Sequence, residues 1–266
     1  MSYLNTTPLV WGMLHGPQRG QFALDFRIPA ECADQLACGD ADIGIVPSFE
    51  LTRQNLEILP GTGIACHGAV RSILLVSHCP PPEIRTLAAD SSSRTSVQLA
   101  RVVLARKYGA HPTLVSHAPD LGAMLRLADA ALIIGDPALR VVPASLSAHV
   151  LDLGAEWAEM TGLPMVFAVW AARPGLATPE VAEAFAASCR YGREHMDDIV
   201  RLEAPGRGFA EELVREYLTR NIVHELGARD YAGMDLFLSW ARKLQPAGSG
   251  LHGSVAGTPP QTVAGR

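Results

Sequence analysis

The segments 35–46 (QLACGDADIGIV) and 124–135 (MLRLADAALIIG) are variations on one unit. Each closes a helical pattern, turns on a short Gly/Ala-Asp-Ala link and enters a run of apolar residues. Runs without polar alternation belong to strands buried on both faces, as in a parallel sheet covered by helices. Two such units about 90 residues apart point to two similar α/β lobes, although unrelated helix–strand links also draw on few residues. The expected fold class is α/β and two-lobed, with a ligand cleft between the lobes.

Two crossings between lobes are expected. One lies at 77–82, where Pro80, Pro81 and Pro82 favour a stiff, extended connection, and the other lies around 169–171. The run 70–76 reads as a strand and 164–170 as its return partner. Lobe one then comprises 1–80 plus 169–245, and lobe two 81–168. Helical patterns follow at 178–200, 207–226 and 230–244. The Gly/Pro/Ser-rich stretch 246–266 reads as a disordered tail. Lobes joined in this way hold a ligand between them and close by a hinge.

Residues 90–96 (DSSSRTS) run straight into the helical pattern 97–104. Hydroxyls of Ser92, Thr95 and Ser96, the Arg94 guanidinium and the free amides of a helix start form a receptor for carboxylate or phosphate. A serine there also serves simply as the helix cap. With 27 acidic and 22 basic residues the chain carries a formal charge of −5. A general affinity for nucleic acid or an anionic membrane is therefore not expected, and an anion site must rely on local dipoles.

The five cysteines form no C-x-x-C pair and read as reduced thiols of a cytosol. The N-terminus lacks the pattern of a signal peptide. The longest apolar run, 163–172, is shorter than the ~18 residues of a membrane span. A cytoplasmic protein is expected. The nine histidines show no H-E-x-x-H pattern, and no phosphate loop or G-x-G-x-x-G occurs. His67 is the one histidine near the presumed cleft, and His224 falls in a helical run where it packs or faces solvent.

The motifs SYLNT (2–6), GIVPS (44–48), SSRTS (92–96), IGD (134–136) and LPMVFA (163–168) occur in this order in one family. On them the chain resembles the chorismate dehydratases of the futalosine route to menaquinone, over residues 2 to about 242. The dihydroxynaphthoate synthases of that route are similar in fold but differ in the N-terminal motif. The resemblance implies a type-2 periplasmic-binding-protein fold used inside the cell as an enzyme. It also implies that chorismate, a dicarboxylate, loses water to give 3-[(1-carboxyvinyl)oxy]benzoate, without metal or organic cofactor. Family members have a β-strand before SYLNT, and the start at Met1 reads as assigned too late.

The resemblance places Asn5 and Ser72 in catalytic roles, at the leaving hydroxyl and the carboxylates. Unaided, Asn5 before Pro8 also reads as an Asx-turn residue, and Ser72 as an ordinary strand serine. Ser48, at a strand end, is either a ligand contact or the cap of the helix beginning at Phe49. Thr95 and Ser96 are expected at the second carboxylate, with Arg94 aiding them or facing solvent. Asp136 can order cleft hydroxyls, but as the residue before Pro137 it is favoured as a helix N-cap. The rival function is a non-catalytic solute-binding protein, and a further one a sister enzyme acting on another cyclic acid.

Overall fold

The computed structural model describes residues 3–90 and 94–244; Ser92 and the expected tail at 246–266 lie outside them. The described chain opens with a 3-10 turn (Leu4–Thr6) that continues into α1 (Thr7–His15). α2 (Pro29–Cys38) leads through β1 (Ile43–Pro47) and a second 3-10 turn (Ser48–Thr52) to β2 (Glu57–Cys66). After residues 67–72 come β3 (Ile73–Ser77), β4 (Thr86–Ala89), α3 (Arg94–Tyr108), β5 (Thr113–Ser116) and α4 (Leu121–Leu127). They are followed by β6 (Ala130–Ile134), α5 (Gly135–Leu139), β7 (His149–Asp152) and α6 (Leu153–Thr161). β8 (Met165–Ala172) precedes α7 (Pro179–Glu194), α8 (Met196–Arg207), α9 (Glu211–Glu216) and a π-helical turn (Tyr217–Asn221). β9 (Val223–Glu225) and α10 (Ala228–Lys243) complete the described chain.

The strands form two sheets, ordered β1-β8-β2-β9 and β5-β4-β6-β3-β7. Both repeated units do end in strands, β1 and β6, but the parallel arrangement expected for them is only partly present. β4 runs parallel to β5 and β6, whereas β1 is antiparallel to β8 and β6 antiparallel to β3. β8 returns from the other lobe and enters the first sheet from the hinge side, so it opposes β1. The unbroken apolar runs reflect burial on both faces, and that burial does not depend on strand direction. All eight residues of β8 are buried.

The expected partnership of 70–76 with 164–170 does not form. β3 pairs with β6 and β7, and β8 with β1 and β2. β3 therefore sits in the second sheet, and the chain passes between sheets at 67–72. The prolines at 80–82 lead only into a 3-10 turn (Pro81–Glu83) between β3 and β4. The helical pattern at 178–200 divides at His195, and that at 207–226 ends in a π turn and a strand. Ile222 and Val223 are β-branched and favour the extended backbone that follows.

α7 packs on α1 and β2, while α10 packs on β8 and reaches α3. The fully buried Trp157 of α6 donates its Nε1–H to Pro164 O at 3.0 Å and meets Phe237 and Trp240 of α10 edge-on. Such aromatic pairs add about 0.5–1.5 kcal/mol each beyond burial. Arg106 of α3 covers the Trp240 ring at 3.8 Å. The C-terminal helix thus straps the second lobe to the first.

Candidate functional site

A cleft of about 500 Å³, counted with its open mouth, lies between the two sheets. Asn5, Pro47, Ile64 and Phe167 line it from the first lobe, and Ser72, Thr95, Ser96 and Gly135 from the second. Among the described residues its wall carries no charged side chain. The polar surface comes from the Asn5 amide, three hydroxyls, the Tyr3 phenol and the start of α3. Amides in the first turn of a helix lack intrahelical partners and present a positive dipole end.

Asn5 sits in the first 3-10 turn, which is held from both sides. Its carbonyl accepts a hydrogen bond from His224 Nε2 at 2.8 Å. Burial pushes the His224 pKa down to about 4, against the pull of that hydrogen bond. The ring is therefore neutral at pH 7 and its Nε2 carries the donated proton. On the other side Leu4 N donates to Asp136 Oδ1 at 3.1 Å, and Asp136 Oδ2 pairs with Arg207.

Ser72, the residue before β3, is 1 % exposed. Its carbonyl accepts from Gly135 N at 2.8 Å and its Oγ from the Tyr217 hydroxyl at 2.8 Å. Tyr217 is buried, and burial raises its pKa above the ordinary phenol range while hydrogen bonding with Ser72 opposes the shift. The preceding Arg71 has φ 65°, a left-handed backbone that costs an L-residue about 1–2 kcal/mol. Its guanidinium donates to the carbonyls of Ala138, Leu139 and Val141, at 3.2, 3.3 and 2.7 Å. Asp152 accepts from Val70 N at 2.9 Å and Arg71 N at 2.6 Å. These contacts fix the turn that presents Ser72.

Gly135 has φ 64°, and a Cβ there would fall 2.7 Å from the Tyr3 ring. Only glycine allows both that backbone and that approach. Thr95 Oγ1 accepts from Phe49 N at 3.1 Å, which ties the α3 start to the first lobe.

Asn5, Ser72, Thr95 and Ser96 thus face one cleft. Three other expected contacts do not. Ser48 is wholly buried and donates to Val166 O at 2.8 Å, so it neither caps a helix nor lines the cleft. β1 stops at Pro47 opposite Ala168, and Ser48 supplies the donor that Val166 lacks beyond the ladder's end. Arg94 turns away to Asp34 of α2 at 2.9 Å and Glu50 at 3.1 Å. Glu50 is a buried carboxylate and requires such pairing. Asp136 is not an N-cap: it lies inside α5, and its carboxylate anchors Leu4 and Arg207.

His67 pairs with Asp230 at 2.8 Å and is absent from the cleft wall. Tyr217 and His224 are additions that the sequence reading missed. The β-branched pair after Asn221 marks the strand carrying His224, but no local signal marks Tyr217, whose partner lies 145 residues away. Among the described residues no three His, Cys, Asp or Glu side chains gather where an ion could sit, and no helix is long and apolar enough to cross a membrane.

Two lobes of mixed α/β structure around a central cleft define the type-2 periplasmic-binding-protein fold. Protein AF1704 of Archaeoglobus fulgidus has this architecture, with a TM-score of 0.68 at 16% identity over 91% of this chain and 94% of that one. The periplasmic aliphatic sulphonate-binding protein SsuA of Escherichia coli matches at a TM-score of 0.61 and 15% identity, over 90% and 84%. Residues 1–243 match the menaquinone biosynthesis family model, and the chain belongs to that family. One relative, the chorismate dehydratase of Thermus thermophilus, is 29% identical over 253 residues, 88% of this chain and 91% of the relative.

Proposed function

We propose that the protein is a cytoplasmic hydro-lyase of the futalosine route that dehydrates chorismate to 3-[(1-carboxyvinyl)oxy]benzoate. Family membership and the Thermus relative support the reading. The observation that carries it is one cleft bringing together an amide, three hydroxyls and a helix start, with no charged side chain among its described residues. A dicarboxylate fits such a wall, because helix-start amides and hydroxyls bind carboxylates by direct donation.

In this reading Thr95, Ser96 and the α3 amides hold one carboxylate. Asn5 and Ser72 hold the ring carboxylate and the C4 oxygen. The enolpyruvyl carboxylate of the substrate takes the C3 proton, and the C3–H electrons form the C3–C4 double bond. The C4–O bond breaks, and the departing hydroxide takes the proton held by the enolpyruvyl carboxyl group and leaves as water. The ring becomes aromatic, so the chain needs to orient the substrate and stabilise the leaving oxygen rather than provide a strong base.

The test is incubation of the folded protein with chorismate, followed by mass spectrometry for loss of one water. Asn5→Ala and Ser72→Ala should each lower turnover severely. Chorismate recovered intact from well-folded protein refutes the reading, and tight binding without turnover replaces it with a solute-binding role. A pH profile requiring a protein base that titrates near neutrality rules out the substrate as base.

A further inference from the structure

Each hydroxyl has one proton to give. The Tyr217 hydroxyl donates to Ser72 Oγ at 2.8 Å, and both residues are buried. The Asn5 side chain makes a long contact, in which its Oδ1 accepts from Thr6 Oγ1 at 3.4 Å. Among the described residues Ser72 Oγ is the acceptor of the phenol proton. Ser72 Oγ then accepts from the protein, and no described residue accepts its own proton. Ser72 also lines the cleft.

We propose that Tyr217 is a positioning residue that sets the hydrogen-bond polarity of the cleft: Tyr217 donates to Ser72, and Ser72 to the ligand. The site thereby selects an oxygen that bears lone pairs, a carboxylate or a departing hydroxyl, and disfavours an amine or amide N–H at that position. Donors in a chain strengthen one another, so Ser72 is a better donor than an isolated serine. The π-helical turn is what aims the ring. Tyr217 begins it and Asn221 ends it, and Asn221 Nδ2 donates to Ala69 O at 3.0 Å. One turn therefore grips the crossing 67–72 at two points. Single π turns in otherwise α-helical segments often mark functional positions.

The activity arm of the test rests on the dehydratase reading, and a structural arm does not. Tyr217→Phe keeps the ring and removes the oxygen. It should lower kcat/KM on chorismate about tenfold in the natural background. In a Ser72→Ala background the same change should alter kcat/KM by no more than about twofold, because its route of action is already gone. Equal losses in both backgrounds overturn the proposal and make Tyr217 a packing residue. Neutron diffraction from deuterated natural protein supplies the second arm. The Ser72 deuteron is expected to point into the cleft and the Tyr217 deuteron toward Ser72, and the reverse orientation overturns the proposal whatever the protein acts on. Chorismate left intact by protein with the expected deuterons refutes the dehydratase reading alone.

Discussion

Replacing Gly192 with alanine should loosen the protein through a contact that no side chain can relieve. Gly192 of α7 lies against α1, where its missing Cβ would stand 2.1 Å from Pro8 O and 2.9 Å from Pro8 C and Cα. That is about 1.3 Å short of the 3.4 Å of ordinary contact, and the obstacle is backbone. The facing Gly12 is also tight against backbone, with Ser188 Cα 2.6 Å from an ideal Cβ. Ser188 fastens the pair by donating to Leu9 O at 2.9 Å and accepting from Met13 N at 3.2 Å. Forced overpacking costs about 1–3 kcal/mol, and alanine in a helix offsets at most about 1 kcal/mol of it. A net loss of about 1–2 kcal/mol lowers Tm by roughly 2–8 °C for a chain of this size. Gly206→Ala in α8 is the control, since its Cβ meets nothing within 4 Å, and its Tm should hold or rise slightly. Thermal unfolding followed by circular dichroism compares the two. α1 continues the turn that carries Asn5, so folded Gly192→Ala should also turn over more slowly, as sub-ångström misplacement does. A Gly192→Ala protein as stable as the Gly206→Ala protein refutes the argument.

Other outcomes follow from the same structure. His224 has a folded pKa near 4 against an ordinary 6.5, so the unfolded chain binds the extra proton between those values. Its contribution is complete above pH 6.5 and is lost as pH falls toward 4, by about 3 kcal/mol at the limit. His224→Gln should flatten that part of a Tm–pH curve, and an unchanged curve contradicts the assignment. Arg94→Gln should lower Tm by a few degrees, because Glu50 then stays buried with one fewer cation. A gain or loss of chorismate affinity with unchanged Tm would instead put Arg94 on the ligand. Burial pushes the Cys66 and Cys189 thiols up to about 12, whereas Cys38 is exposed. Iodoacetamide should label Cys38 promptly and the other two only on unfolding, as peptide mapping would show.

Local pattern carried a good part of this architecture. The repeated helix–turn–apolar unit marked β1 and β6, and the hydroxyl-rich stretch marked the start of α3, because both signals lie within a dozen residues. Strand partners did not follow, since an apolar run records burial and not direction. Asn5 and Ser72 follow from motif resemblance and Thr95 and Ser96 from the hydroxyl-rich helix start, and the structure brings all four to one cleft. Ser48, Arg94 and Asp136 are engaged away from the cleft for one reason: their partners are Val166, Glu50 with Asp34, and Leu4 with Arg207. A polar side chain seen alone cannot declare that a distant carbonyl or carboxylate already claims it. Tyr217 is the extreme case, as a tyrosine in a helical stretch reads as core until Ser72 is seen beside its oxygen.

The hydrogen bond from His224 to Asn5 spans 219 residues, and that from Tyr217 to Ser72 spans 145. A ribosome must therefore pass residue 217 for one pairing and residue 224 for the other. The strands of the second sheet, β3 to β7, are contiguous in sequence and can pair while the rest is still emerging, but the two bonds wait for Tyr217 and His224. Chains that stop short of residue 217 accordingly lack both hydrogen bonds that hold Ser72 and Asn5 at the cleft.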